Sequence, residues 1–407
     1  MEGEIEVSGS KNAALPILAS SLLFKEKIQI QNLPEIEDVQ RINELLDAFN
    51  LTGKIDKGIA NRLRASILLA GPALARFGQV EFSHPGGCLI GTPASPTSLG
   101  GRPIDLFLEG WKAMGAEVQL LGKAPEEYVV SAPRGLLGGD YTFKIPSVTG
   151  TEALMMSAVL AKGITVLKNA ALEPEIKYLA DFLNAGGARI SGAGTPTIKI
   201  EGRPGELLKC NAPFAVPPDR IEAGSFAILG ALYGKNLRIK NFVAEELSAL
   251  LAVLSGAGAE YVLENNYLIF KKSSLGLLKA VDIKTREFPG FPTDLQAPFT
   301  TLLTQAEGQS LVHETIFEGR LNYIEDLNRM GAKITLCDPH RAIVQGPFKL
   351  TGRGLESPDI RAGLAFIIAG IIADGETNIG NIYQIDRGYE RVDERLRAIG
   401  ADIKRVE

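Results

Sequence analysis

A short pattern, Gly-Ala followed by any residue and then an apolar one, constrains this chain more than any other feature. It stands as Met114-Gly115-Ala116-Glu117-Val118, Gly186-Gly187-Ala188-Arg189-Ile190, Gly258-Ala259-Glu260-Tyr261, Met330-Gly331-Ala332-Lys333-Ile334 and Ile399-Gly400-Ala401-Asp402-Ile403, with the glycines about 70 residues apart. Each copy follows a helix-like stretch and precedes a strand-like one, so each glycine reads as a helix C-cap leading into a strand. A second pattern interleaves with it: an alanine-rich apolar helix, a turn with glycine, then an alternating strand. It runs at Asn12 to Ile30, Arg64 to Phe82, Thr151 to Leu167, Glu222 to Ile239, Asp294 to Val312 and Arg361 to Ile379. Six copies of the second pattern and five of the first, with a degenerate sixth at Leu45 to Leu51, imply six related units.

The second pattern's helices are apolar nearly all round, as in Leu364-Ala365-Phe366-Ile367-Ile368-Ala369-Gly370-Ile371-Ile372, which places them inside, with sheets wrapped around them. A chain of 407 residues is too long for one ordinary core, so three units should build each of two domains, with a ligand between them. The expected class is α/β, six βαβαββ-like units in two domains. We expect residues 1–11 and 219–407 in one domain and 12–218 in the other, with Val216-Pro217-Pro218 as the hinge and the charges of Asp219 and Arg220 bracing it.

Apolar content of 45% and charged content of 22% are those of a globular protein, and a formal charge of −5 argues against a general nucleic-acid binder. The acidic start carries no basic stretch followed by an apolar one, and the run from Leu364 to Ala373 is about half the length that crosses a bilayer. A cytoplasmic protein without membrane insertion is expected. Cys88, Cys210 and Cys337 match no zinc spacing, and His84, His313 and His340 are scattered, so neither a metal nor a cofactor is expected.

Several apolar helices begin with bases, at Lys11-Asn12, Arg64-Ala65 and Ile360-Arg361, where the helix dipole favours acids. Exposed helix amides beside a basic side chain form an anion cradle. Arg320 and Arg387, in glycine-containing loops, read either as surface arginines or as further anion ligands. Asp294 reads either as a helix N-cap or as a general base. Cys88 sits in His84-Pro85-Gly86-Gly87-Cys88-Leu89-Ile90-Gly91, followed by Gly101-Arg102-Pro103-Ile104-Asp105-Leu106. An unpaired cysteine is most often an inert small hydrophobe, but one on a glycine-bracketed loop near an arginine is also a candidate acid or nucleophile.

Together, Ser8-Gly9-Ser10-Lys11-Asn12-Ala13-Ala14, the cysteine loop, Pro146-Ser147-Val148-Thr149-Gly150-Thr151-Glu152, Pro218-Asp219-Arg220-Ile221-Glu222, Phe291-Pro292-Thr293-Asp294-Leu295-Gln296, Asp359-Ile360-Arg361-Ala362-Gly363 and Asp386-Arg387-Gly388-Tyr389-Glu390 resemble the UDP-N-acetylglucosamine enolpyruvyl transferases (1-carboxyvinyltransferases) of the EPSP synthase-like superfamily. The resemblance runs from about Gly3 to the C-terminus. It implies an inside-out α/β barrel pair with the active site in the interdomain cleft. The implied reaction moves the enolpyruvyl group of phosphoenolpyruvate onto the 3'-hydroxyl of UDP-N-acetylglucosamine, opening peptidoglycan synthesis. These two small molecules are the expected partners of a monomer or weak homo-oligomer.

Carried over by position, the resemblance implies Lys11, Arg102 and Arg387 around the phosphate and Arg320 with Arg361 around the carboxylate, while Arg64 helps draw the site together. It makes Asp294 the base on the sugar hydroxyl, and Cys88, on a lid, the acid toward the methylene carbon and the residue alkylated by fosfomycin. Asn12 and Ile316 then contact the sugar portion, Pro103, Asp105 and Leu106 the uridine, and Ser147, Val148 and Thr149 the diphosphate. The chain departs from the pattern in an apparent insertion from Thr92 to Gly100, a short link from Leu51 to Asn61 that implies a lost strand pair, a strand expected before Met1, and Phe107 where a histidine is common. The alternative reading is a non-catalytic paralogue that binds a UDP-sugar and regulates another protein.

Overall fold

Five glycines end helices in one way. Gly115, Gly187, Gly258, Gly331 and Gly400 have φ of +82°, +99°, +86°, +107° and +94°. In each case the glycine N–H donates to the carbonyl three residues back and the following alanine N–H to the one five back, as in Gly331 to Asn328 at 3.0 Å and Ala332 to Leu327 at 3.1 Å. This is the Schellman arrangement, which needs a left-handed residue that glycine adopts without a Cβ clash. A strand follows at Glu117–Leu121, Ile190–Ser191, Val262–Glu264 and Lys333–Asp338. After Gly400 the expected strand is not formed, since 401–406 lie in no sheet.

The computed structural model describes residues 1–86, 104–121, 127–210 and 212–406. They divide into two compact units, Met1–Ser8 with Pro218–Glu407, and Gly9–Pro217. In the first, strand Gly3–Glu6 pairs in parallel with Leu237–Lys240 through the buried helix Arg220–Tyr233. Helix Ser248–Gly256 then leads to a hairpin, Val262–Glu264 and Tyr267–Phe270, whose second strand lies antiparallel beside Leu237–Lys240. The order is βαβαββ. It recurs as Ile283–Lys284, Gln296–Leu303, Gly308–His313, Ile324–Arg329, Lys333–Asp338 and Arg341–Gly346, again with the last strand inserted next to the third element.

A third block keeps only the parallel pair Gly354–Glu356 and Asn378–Gly380, flanking helix Ile360–Ile372. Its inserted strand has no counterpart among the described residues. A cavity of about 1130 Å³ is lined in part by Ile379 and Ile385 and by Ile403 and Val406 of the tail. In the sister blocks the equivalent strand pairs only with the inserted one, and Ala401 to Val406 have no strand beside them among the described residues.

The unit Gly9–Pro217 has one complete block, Asp140–Thr142 through Thr197–Glu201 around helix Val148–Ala158, with sheet order matching its counterparts. A second block is three-stranded, Gln79–Ser83, Glu127–Ser131 and Glu117–Leu121, and a third is the pair Ile30–Gln31 with Phe214–Ala215 around helix Lys11–Ala19. Helix Glu37–Thr52 ends at Gly53 and no strand pair follows it before Ala60, matching the short link in the sequence.

The core helices are buried along nearly their whole length, as in Ile221 to Leu232 and Ile360 to Ala369. Each unit thus has a core of its own, with sheets outside helices. Close helix approach depends on missing side chains: a Cβ on Gly71 would lie 2.5 Å from the Ala153 carbonyl oxygen, and one on Gly224 2.5 Å from Leu295 Cδ1. Among the described residues no helix is long and apolar enough to cross a membrane.

Candidate active site

In the unit containing Pro218–Glu407, the ends of two core helices bring three of the singled-out residues together. Phe291-Pro292-Thr293 turns into a short 3-10 helix, Thr293–Leu295, ahead of helix Gln296–Leu303. Asp294 makes no cap bond there, which corrects its N-cap reading. Its carboxylate instead bridges two guanidiniums: Arg320 Nη2 donates to Oδ1 at 2.5 Å and Arg361 Nη2 to Oδ2 at 3.0 Å. Arg361 stands at the start of helix Ile360–Ile372, where Asp359 caps the amides of Arg361 and Ala362. The N-cap carboxylate satisfies the helix dipole and leaves the arginine side chain for other work.

Each guanidinium is also anchored to a neutral hydroxyl. Arg320 Nη1 donates to Thr293 Oγ1 at 2.8 Å, and Arg361 Nη1 to the Tyr389 hydroxyl at 3.1 Å. Phe317 and Tyr389 lie against the two guanidiniums. The arginine side chains are 5% and 8% exposed, the Asp294 side chain 26%. Burial by itself would raise the Asp294 pKa, but Arg361, Arg320 and Arg220 overwhelm it and hold the carboxyl far below the usual range. Burial likewise disfavours the Arg361 cation, and Asp294 with Tyr389 more than reverses this. Two cations against one carboxylate leave the cluster with excess positive charge.

Glu314, absent from the sequence candidates, holds the loop in place. It is fully buried, accepts from Thr285 Oγ1 at 3.0 Å and Thr293 Oγ1 at 2.8 Å, and takes the amides of Ile316 and Phe317 at 2.8 and 3.1 Å. Thr293 therefore relays between Glu314 and Arg320. Gln296 donates to the Tyr323 hydroxyl at 2.8 Å under the same turn. The one sequence signal for Glu314 was its place between an alternating strand and the loop that carries Arg320. Arg387 is buried and donates to Gln384 Oε1 at 3.0 Å; it joins neither carboxylate oxygen of Asp294. These burials exclude the surface-arginine reading of Arg320 and Arg387.

In the unit Gly9–Pro217, Lys11 opens helix Lys11–Ala19 under a Ser10 cap and meets Asp38 at 2.7 Å, with both side chains under a tenth exposed. Asp38 was not singled out in the sequence, because it reads as an ordinary first-turn acid of helix Glu37–Thr52. Asn12, next to Lys11, is half-buried. Arg64 begins a 3-10 segment, Arg64–Leu69, and not an α-helix, and reaches the Pro85 carbonyl at 3.4 Å. Ser147 caps helix Val148–Ala158 through the Gly150 amide, with Thr149 in its first turn. Tyr141 donates to the Leu106 carbonyl at 3.0 Å, and a Cβ on Gly150 would lie 2.4 Å from Leu106 Cδ1. The structure thus sets Leu106, beside Asp105, against the Ser147 turn. Asp219 caps its helix through the amides of Ile221 and Glu222.

Cys88, Arg102, Pro103 and the Thr92 to Gly100 stretch lie outside the described residues. Among the described residues no group of three His, Cys, Asp or Glu side chains could hold a metal ion.

The family model described as EPSP synthase (3-phosphoshikimate 1-carboxyvinyltransferase) matches residues 1–396. A protein of Caldanaerobacter subterraneus subsp. tengcongensis named UDP-N-acetylglucosamine 1-carboxyvinyltransferase 1 is 41% identical, over all of this chain and 97% of the relative. One of Carboxydothermus hydrogenoformans, UDP-N-acetylglucosamine 1-carboxyvinyltransferase 2, is 43% identical over the same shares. Among solved structures, the enolpyruvyl transferase NikO from Streptomyces tendae superposes with a TM-score of 0.84 at 20% identity, covering 99% of this chain and 96% of that one, a likeness of fold. With its repeated βαβαββ blocks and its buried arginine pair around Asp294, this chain belongs to the EPSP synthase family of enolpyruvyl transferases.

Proposed function

We propose that this protein transfers the enolpyruvyl group of phosphoenolpyruvate to the 3'-hydroxyl of UDP-N-acetylglucosamine, releasing phosphate, in the first committed step of peptidoglycan synthesis. Identity near 40% over the full length with transferases named for that reaction supports the choice of acceptor. The observation that carries the chemistry is the convergence of Arg320 and Arg361 on one carboxylate. A buried pair of guanidiniums with matched N–H forks is suited to the carboxylate of an enol phosphate.

Lys11, Arg102 and Arg387 would hold the phosphate, with Arg64 helping to gather the site. Asn12 and Ile316 would meet the sugar portion, Pro103, Asp105 and Leu106 the uridine, and Ser147, Val148 and Thr149 the diphosphate. The Cys88 thiol gives its proton to C3 while the 3'-oxygen bonds to C2 and yields its proton to Asp294. The tetrahedral adduct then loses phosphate and a C3 proton to give the enol ether. Acid and base are both required because attack on an enol carbon is slow unless C3 is protonated in concert.

The test is phosphate release from the two substrates, with and without fosfomycin. Turnover that fosfomycin abolishes, and that Cys88→Ser, Asp294→Ala and Arg361→Ala each suppress strongly, supports the assignment. Binding of the nucleotide sugar without any phosphate release would overturn it in favour of the regulatory paralogue.

A further inference from the structure

Asp294 is asked to do two incompatible things. As a base it must accept a proton, and acceptance is efficient only when the pKa lies near the working pH. Yet in this structure it is the counter-ion of both arginines, one on each oxygen, at 2.5 and 3.0 Å. A carboxylate so held has little basicity. The two guanidiniums it occupies are those that the proposed function gives to the substrate carboxylate. We propose that Asp294 is an internal stand-in for that carboxylate: phosphoenolpyruvate binds by displacing it from Arg320 and Arg361, and the displacement is what frees the base to act.

The proposal rests on the functional reading above and extends it from a list of ligands to an order of events. The geometry suits an exchange. Each arginine keeps one fixed bond, to Thr293 Oγ1 or to the Tyr389 hydroxyl, that does not involve Asp294, so the guanidiniums stay positioned while their anion changes. Glu314 holds Thr293 from behind, which keeps Arg320 in place. The Asp294 side chain is 26% exposed against 5% and 8% for its partners, so the carboxylate has open space to move into and the cations do not. With Asp294 as counter-ion the trio carries one net positive charge; a second carboxylate brings it to neutrality. A ligand without a carboxylate would leave Asp294 clamped.

The consequence is unusual for a proposed catalytic residue: removing its charge should strengthen substrate binding. In Asp294→Asn the arginines lose their internal anion, and one like charge at a few Å from the incoming carboxylate disappears. Phosphoenolpyruvate should then bind roughly tenfold tighter or more than to the wild type, by calorimetry on the purified chain without the acceptor nucleotide sugar, while turnover with both substrates is lost. Vinyl phosphate, which has the enol phosphate but no carboxylate, should change several-fold less. Unchanged or weaker phosphoenolpyruvate binding, or an equal gain for both ligands, would overturn the proposal. Should the variant fail to fold, wild-type protein labelled with 13C at aspartate carboxyl carbons decides: phosphoenolpyruvate should shift one carboxyl resonance that vinyl phosphate leaves in place, and identical responses overturn it. Wild-type turnover without these signs would sink the exchange and leave the enolpyruvyl reading intact. No wild-type turnover sinks the reading itself.

Discussion

The two units each place a buried cation at the start of a core helix, and they treat it differently. Lys11 meets Asp38 at 2.7 Å. Arg361 shares Asp294 with Arg320, two cations against one carboxylate. A buried ion pair offsets much of its own desolvation. An unmatched cluster holds charge in reserve, and in a poorly solvated place that reserve recruits an anion. Two guanidiniums on one carboxylate thus keep more charge for an incoming anion than a cation facing its own acid does.

The sharpest test of this contrast is turnover. Arg361→Ala and Arg320→Ala should each lower phosphate release about 10³-fold, and lysine at either place should restore little, since a point charge cannot reproduce the fork that grips Asp294 and a hydroxyl together. Rescue by lysine would break the distinction. On the other side, Lys11→Met removes the cation at 2.7 Å from the buried Asp38 carboxylate and should cost roughly 3–5 kcal/mol in urea unfolding, most of it recovered in Lys11→Met with Asp38→Leu. Recovery of stability without recovery of turnover would show that Lys11 serves both roles.

A smaller effect concerns Glu152, in the same unit as Lys11. It is 2% exposed, its Oε1 lacks a hydrogen-bond partner, and burial, then Glu175 and Glu173, push its pKa well above the usual carboxyl value. A folded pKa above the unfolded one means that the folded state binds the extra proton, so the contribution is full below about 4.5 and fades as pH rises through the folded value. Glu152→Gln should therefore raise Tm by a few degrees at pH 8 and by less at pH 5, in scanning calorimetry. Equal shifts at both pH values would place its proton elsewhere. Smallest of all, Gly331→Ala should cost about 1–2 kcal/mol, measured by urea unfolding, for its φ of +107°.

Much of the fold was legible because it is local. A Schellman ending needs only a glycine, the alanine after it and the helix before them, so all five Gly-Ala copies could be recognised from the string of residues. The core helices were legible for a related reason: a helix apolar all round has no stable place except inside. Strand formation after Gly400 was not legible. The alternation through Ile403 resembles that of its sister copies, but a strand exists only when a neighbour supplies hydrogen-bond partners, and among the described residues none lies beside Ala401 to Val406.

The candidate site divides along the same line. Sequence alone determined that arginines and an aspartate stand in helix-leading motifs where the dipole makes cations costly, and so that an anion had to be found for them. It could not name the anion. That Arg361 and Arg320 meet on Asp294, that Lys11 meets Asp38, and that Glu314 holds Thr293 and the amides of Ile316 and Phe317 were decided by tertiary structure, because pairing energy depends on distance and desolvation, and neither exists until the chain has folded.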